Sequence, residues 1–410
     1  MKNKTSTVPE LETPEKNKFL SGWLDHIKVF AAEIGPRGST TEKEREASDY
    51  CESTFRNLGL DPQMEFFQSA RSIYHPHLMA ALMMLAAFFI YPLYGRLTAV
   101  LAGLISLISI ISQLLELSFQ DNLFRRLVPK GKSQNVFATL PPQGTRKQDL
   151  ILVGHVDSHR SPLVFRSPSW VNAYQIFTTL AFVLSLLQVV LYGLGAFFSW
   201  PWIWPLTIPS AVSSVLLAAM CLEADSTDFS PGANDNATAA GLVLTLADHL
   251  QQEPLENTQV WFVCTGCEEV QHYGAIDFFR RHLSEFKDPK VVVFEMLGCA
   301  GPSWLVKEGI VVPFHGDPQL VEIAERVSAS HPALGAYPST IKGGNTEMAD
   351  ALRVGIPAIT INGIDRNGEI PYWHQTEDTF DKMAPEVMNR NYQFIWKYIT
   401  AVDSIPLETA

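Results

Sequence analysis

Two long uncharged stretches interrupt this chain and decide what it can fold into. Across residues 78–115 the only charged residue is Arg96, and across 171–222 there is no Asp, Glu, Lys or Arg. A soluble domain rarely hides runs of this length without a charge, because its surface needs them. Each stretch has a turn near its middle: Tyr91-Pro92-Leu93-Tyr94-Gly95-Arg96 in the first, and Ser199-Trp200-Pro201-Trp202-Ile203-Trp204-Pro205 in the second. The arms on either side are near the ~20 residues a helix needs to cross ~30 Å of hydrocarbon. Tryptophan favours the membrane–water boundary, where its ring is buried and its N–H is wet. The pattern predicts two transmembrane hairpins, at 77–117 and 171–222. Their four arms are placed at about 78–94, 97–117, 173–198 and 203–222.

The rest of the chain reads as ordinary α/β sequence. Residues 1–16 are polar with no apolar run, which predicts a disordered leader and not a signal peptide. Helical spacing of apolar residues runs over 19–34 and stops at Gly35-Pro36. Thr41 followed by Glu44 is a capping-box pattern that starts a second helix, ending near Leu58-Gly59. Strands are predicted at 63–68, 135–140, 150–154, 260–265, 291–294 and 358–361. Helices are predicted at 237–250, 275–283, 318–329 and 385–402. Such alternation predicts a three-layer α/β/α domain with a mixed, mostly parallel central sheet. This domain is assembled from 17–76, 118–170 and 223–410.

Composition narrows the function. The formal net charge is −12 and no basic patch stands out, so nucleic acid is excluded as an expected partner. The five cysteines, Cys51, Cys221, Cys264, Cys267 and Cys299, show no framework spacing. Cys264-Thr-Gly-Cys267 has the form of a redox or zinc pair, but no second pair or nearby histidine completes a structural zinc site. It reads as two small residues at the end of a buried strand.

Five short segments place carboxylates or histidines just after β-rich runs, where ligands collect in open α/β sheets. His155 follows a strand in Gly-His155-Val-Asp157-Ser158, with Asp157 placed to accept its second N–H. Asp235 lies in Pro231-Gly-Ala-Asn-Asp235-Asn, ahead of a helix; it is either a helix cap or a carboxylate bridging two metals. Glu268 and Glu269 adjoin one another after an apolar strand. Two such acids repel unless cations lie between them, and they allow a division into general base and metal ligand. Glu295 follows four apolar strand residues, where an unpaired carboxylate is costly to bury. His374 lies in Tyr372-Trp-His374-Gln-Thr-Glu-Asp378-Thr, a polar loop past a strand. Each segment alone has a bland explanation.

In this order the five segments resemble the M28 family of zinc peptidases. The family shows a His-x-Asp after a strand, a Gly-Ala-x-Asp-Asn-Ala loop, a Glu-Glu pair, an acid after the next strand and a late His-Thr-x-x-Asp-Thr. Gly35-Pro36-Arg37, Asn135-Val136-Phe137-Ala138 and Gly355-Ile356-Pro357-Ala358 are similar to family sequence as well. The resemblance implies the zinc exopeptidase fold, peptide substrates and two Zn2+ per chain. His155 and Glu295 would hold one zinc, Glu269 and His374 the other, and Asp235 would bridge them. Glu268 would be the general base and Asp157 would orient His155. There are three departures: Glu295 stands where the family often has Asp, Gln375 where Thr is usual, and Thr346-Glu347-Met348 where Ser-Asp-His is usual. Gly343-Gly344-Asn345 looks like the related M20 peptidases.

Each hairpin crosses twice, so the catalytic segments stay on one side of the bilayer. Arg71, Arg125, Arg126, Lys130, Lys132, Arg160 and Arg166 flank the hairpins on that side, and only Arg96 lies in a far-side turn. The positive-inside rule therefore predicts a multi-pass membrane protein with a cytoplasmic catalytic domain. The leading expectation is a membrane-embedded di-zinc aminopeptidase whose site faces the bilayer. The alternatives are a glutaminyl-cyclase-like enzyme with one zinc, and a non-catalytic receptor or scaffold on a peptidase fold.

Overall fold

The computed structural model describes residues 13–14, 17–198 and 200–404. The leader expected at 1–16 therefore falls outside the described residues, apart from Thr13 and Pro14, as does Ser199 of the tryptophan-rich turn.

Eight strands form one sheet in the order β1-β2-β4-β3-β5-β8-β6-β7. They are β1 (Gln63–Ala70), β2 (Lys130–Leu140), β3 (Gln148–His155), β4 (Thr258–Thr265), β5 (Pro289–Glu295), β6 (Ser303–Lys307), β7 (Tyr337–Thr340) and β8 (Ala358–Asn362). The central strands β4, β3, β5 and β8 run parallel. Antiparallel pairing of β2 with β4 and of β6 with β8 flanks them, so the sheet is mixed.

The central strands are buried on both faces, and their side chains alternate between two cores. Leu150, Leu152, Phe262 and Val292 point into one core. Ile151, Val153, Val263 and Val293 point into the other. The first core is covered by α1 (Lys18–Lys28), α2 (Glu42–Asn57), α9 (Thr238–Gln252), α11 (Pro318–Ser330) and α13 (Pro385–Asp403). The second is covered by α10 (Tyr273–His282) and α12 (Met348–Arg353). This is the expected three-layer arrangement.

Several local expectations need correction. The first helix ends at Lys28 and continues as a π-helical turn over Val29–Ile34, closed by Gly35 at φ 82°. Thr41 caps α2 as expected, its hydroxyl accepting from the Glu44 N–H at 3.3 Å. Glu44 does not close the box on Thr41. Its carboxylate accepts from the backbone N–H of Thr40 and of Cys267, both at 2.8 Å. All five cysteines are free, and Cys264 lies buried at the end of β4.

The apolar insertions form α3 (Tyr74–Ile90), α4 (Arg96–Leu117), α6 (Pro168–Phe197), α7 (Ile203–Leu206) and α8 (Ile208–Asp225), with the short α5 (Leu123–Leu127) following α4. Among the described residues, three helices are long and apolar enough to cross a membrane: α4, α6 and α8. These match three of the four expected arms, and the remaining one, α3, is a shorter apolar helix. Helix α3 has 17 residues, about 25 Å at ~1.5 Å per residue. The last arm is broken at Thr207 into α7 and α8. Pro209 explains the break, because its ring would clash with the carbonyl four residues back and it has no N–H to offer.

The four long helices close into a bundle, α3 on α4 and α8, α6 on α4 and α8. The bundle is inside-out relative to a soluble core. Ala102, Ser106, Ser109, Ser185, Gln188 and Ser214 are buried inside it, while Leu104, Ile108, Leu180, Leu187, Val212 and Leu216 face outward. Buried polar side chains bond across helices: Gln188 Nε2 donates to the Met84 carbonyl at 3.0 Å and Ser109 Oγ to that of Ala80 at 3.1 Å. Small and polar residues inside with large apolar residues outside is the packing pattern of helices in lipid.

Candidate metal centre

The residues singled out in the sequence meet at one edge of the sheet. His155 ends β3 and Glu295 ends β5. Glu268 and Glu269 follow β4, and His374 follows β8. Asp235 lies in the kinked turn Ala233–Ala237 ahead of α9, where its peptide bond to Asn236 is cis. This is the crevice outside the carboxyl ends of parallel strands.

The geometry separates two donor sets joined by Asp235. His155 Nε2 lies 3.7 Å from Asp235 Oδ1 and 3.8 Å from Glu295 Oε2. His374 Nε2 lies 3.3 Å from Asp235 Oδ2 and 3.3 Å from Glu269 Oε2. The two oxygens of one carboxylate thus face two different histidines. Zinc ligands at ~2.0–2.1 Å in a tetrahedral shell lie about 3.3 Å from one another, so the His374 set matches and the His155 set is slightly wider. Glu269 Oε1 and Glu295 Oε1 are buried without a hydrogen-bond partner. Bare carboxylates packed this way are unfavourable. Burial pushes Glu269 up to about 8 and Glu295 up to about 7, even though His374 and His155 respectively oppose the shift. A buried cluster of acids with orphaned oxygens converging on imidazole nitrogens is the donor chemistry that zinc requires, and the residues present fit it.

Asp157 does more than was expected of it. His155 Nδ1 lies 3.1 Å from the Asp157 backbone carbonyl and 3.4 Å from its carboxylate. That carboxylate accepts the Ser39 hydroxyl at 2.6 Å and the backbone N–H groups of Glu268 and Glu269 at 3.2 Å each. One buried acid therefore orients both His155 and the Glu-Glu turn.

Three further residues shape the loops. Asn236 Nδ2 donates to Glu295 Oε2 at 2.8 Å, which fixes the longer arm that stands in place of Asp. Asp378 accepts the backbone N–H groups of Asn234 (2.7 Å) and Asp235 (2.9 Å), joining the Asp235 turn to the His374 loop. Arg37 is fully buried and donates to the carbonyls of Phe30, Gly35, Val156, Pro231 and Gly232. Burial pushes its guanidinium down to about 10, so it stays charged at neutral pH. Arg37→Met is expected to cost at least ~3 kcal/mol, because it strands five carbonyls that water cannot reach. A chemical-denaturation series on the variant measures this, and an unchanged midpoint would contradict it.

Some site residues carried no clear signal in the sequence. His159 is four residues beyond His155, and its ring stacks on His374 with centroids 3.7 Å apart and planes 12° apart. His159, Glu269 and His374 also bring three donor atoms within 4.8 Å of one another, so His159 stands beside His374 as a further candidate donor. His272 contacts Glu268. Glu347, in the segment that departs from the family, is buried with neither carboxylate oxygen hydrogen-bonded. Burial raises it to about 8. Gln375, another departure, donates to the Phe165 carbonyl at 2.8 Å, just ahead of α6.

The apolar helices reach the site directly. Tyr74, at the start of α3, places its hydroxyl 3.5 Å from His159 Nε2. Asp225, ending α8, pairs with His75 of α3 at 3.1 Å and lies 3.6 Å from Arg160.

The sequence model of Peptidase family M28 matches residues 221–399. Aminopeptidase YwaD of Bacillus subtilis (strain 168) is 28% identical over 165 residues, which is 40% of this chain and 36% of that protein. The match thus spans about a third of that relative's length. Among solved structures, a glutaminyl cyclase of Bacteroides thetaiotaomicron bound to N-acetylhistamine superposes with a TM-score of 0.56 at 12% identity, over 96% of this chain and 99% of that one. BSAP, a zinc aminopeptidase from Bacillus subtilis, superposes with a TM-score of 0.54 at 14% identity, over 93% of this chain and 94% of that one. At these identities the structures speak to the fold.

Proposed function

We propose that this chain is a zinc hydrolase of the M28 peptidase type and, more finely, a membrane-embedded di-zinc aminopeptidase. The observation that carries the two-metal reading is the placement of Asp235, whose Oδ1 faces His155 and whose Oδ2 faces His374. His155 and Glu295 would hold one ion, His374 and Glu269 the other, with Asp235 between them. Bound zinc would supply Lewis acidity, polarising the scissile carbonyl and lowering the pKa of a nearby water.

The remaining chemistry belongs to the chain. Glu268 directs Oε2 toward the centre, 3.6 Å from His155 Nε2. From there it takes the proton of the attacking water at Oε2 as the carbon–oxygen bond forms. It returns that proton to the leaving amine nitrogen as the carbon–nitrogen bond breaks. Asp157 holds His155 in the tautomer that leaves Nε2 bare. The fold also suits a glutaminyl cyclase, and solved cyclases are among its structural neighbours. A panel of aminoacyl-p-nitroanilides, their N-acetylated forms and a peptide with N-terminal Gln separates the two. Release of p-nitroaniline only from substrates with a free amine supports the proposal. Cyclisation of the Gln peptide without such release would overturn it.

The inside-out bundle supports placement in a bilayer with the site at the membrane surface, and the Lys and Arg residues flanking the hairpins on the catalytic side support a cytoplasmic catalytic domain. Impermeant thiol reagents are expected to label a cysteine placed at Trp202 from the outside of intact cells. Labelling only from the inside would reverse the orientation.

A further inference from the structure

His272 stands behind Glu268, outside the ligand set. The Glu268 carbonyl accepts the N–H groups of Gln271 at 3.0 Å and His272 at 2.8 Å. That tight turn, with His272 at φ 57°, folds the imidazole back onto the Glu268 side chain. His272 Nε2 lies 3.0 Å from Glu268 Oε1, and Nδ1 lies 2.6 Å from Asp350 Oδ2. All three side chains are largely buried, at 3%, 11% and 2% exposure. A neutral imidazole can donate from only one nitrogen, whereas an imidazolium donates from both. Burial opposes the charge, yet the Asp350 and Glu268 carboxylates hold His272 well above its ordinary value.

The contacts continue away from the centre. Asp350 Oδ1 pairs with Arg353 Nη1 at 3.0 Å, one turn further along α12. Arg353 donates to the Ser118 carbonyl at 2.9 Å and the Phe119 carbonyl at 3.4 Å, immediately past the end of α4. The Phe119 ring lies against the His272 ring, 4.5 Å between centroids. A second tether runs in parallel. Glu116, in the last turn of α4, forms a buried pair with Arg125 at 3.1 Å, and Arg125 donates to Gln271 at 3.3 Å. The last turn of an apolar helix is thus joined to the catalytic turn by two chains of polar contacts.

We propose that His272 is a positioning residue that holds Glu268 through Oε1 and leaves Oε2 toward the metal centre, and that Arg353 extends this clamp to the end of α4, making the first apolar hairpin part of the catalytic scaffold. The proposal rests on the reading of Glu268 as general base. A carboxylate free to rotate would present either oxygen at varying distance, and misplacement by about 1 Å near the reacting atoms costs about 100-fold in rate. An anchor alone would need no polar contacts to the catalytic turn.

The test uses the full-length protein in detergent or lipid nanodiscs, with zinc content and melting temperature recorded for each variant. His272→Leu is expected to lower kcat by ~100-fold with KM within about twofold and zinc content unchanged. His272→Gln places an amide N–H near the position of the ring Nε2 and is expected to keep kcat within ~10-fold of wild type. Arg353→Ala is expected to lower kcat by ~10-fold, and Arg353→Lys to restore part of it. A merely structural role would lower the melting temperature and leave kcat per zinc-loaded molecule unchanged. That result, or a glutamine variant as impaired as the leucine one, overturns the proposal. If His272→Leu does not fold, the Arg353 pair decides, because Arg353 is partly exposed. Glu268→Ala is the control. If it stays active, the base assignment fails; if it is inactive while the His272 and Arg353 variants turn over normally, only the clamp fails.

Discussion

Glu268→Ala is expected to lower kcat by about 1,000-fold while the protein keeps its wild-type zinc content, the scale that loss of a positioned general base produces. The split between rate and metal follows from geometry. Glu268 divides its oxygens, one held by His272 at 3.0 Å and the other 3.6 Å from His155 Nε2. The donor pairs of the two proposed ions are complete without it: His155 with Glu295, and His374 with Glu269, on either side of Asp235. Steady-state kinetics with elemental analysis of the same sample tests this. A variant that loses zinc along with activity would make Glu268 a ligand and move the base elsewhere.

Asp235→Ala is expected to have the second large effect, and of a different kind. Asp235 faces both histidines, through Oδ1 and Oδ2, and is the shared member of the two proposed donor sets. With two divalent cations bound, the carboxylates of Asp235, Glu268, Glu269 and Glu295 would offset their charge. Removing the shared one leaves three carboxylates for two ions and breaks the link between them. At least one zinc per chain should be lost, with activity at background. The turn itself should persist, because Asp378 holds it through the backbone N–H groups of Asn234 and Asp235. Elemental analysis and circular dichroism of the variant report both. Two tightly held zincs in the alanine variant would contradict the bridging role.

Much of the fold was legible in the sequence because its signals are local. The β-rich runs at 150–154 and 260–265 and the helix at 237–250 appear within a few residues of their predicted ends. What was missed depends on distant partners. Strands β6 and β7 are short, with β7 at the edge of the sheet and β6 beside it, paired through Ser303, Trp304 and Tyr337, and they carry no alternating run of their own. Helix α12 has six residues, too few for a periodicity to register. The last arm was read as one helix over about 203–222 on hydropathy alone, and the break at Thr207 ahead of Pro209 was not expected.

The candidate metal set was legible as an ordered group, since every member except Asp235 follows a strand and the parallel sheet brings those strand ends together. The residues around it were not. Asp350 reaches His272 from 78 positions away, and Arg37 reaches Gly232 from 195 positions away; no spacing rule connects them. The fourfold spacing of His155 with His159 and of Glu268 with His272 was visible. It pointed to nothing until the fold showed one ring stacked on His374 and the other turned onto Glu268.

The central claim, two zinc ions acting together at a shared carboxylate, is tested most directly by titrating zinc into metal-stripped, full-length protein while turnover of an aminoacyl-p-nitroanilide is followed. Tight uptake of two zincs per chain, with full activity only once both are bound, is the result predicted. Full turnover at one zinc, with no second tight site, would contradict it.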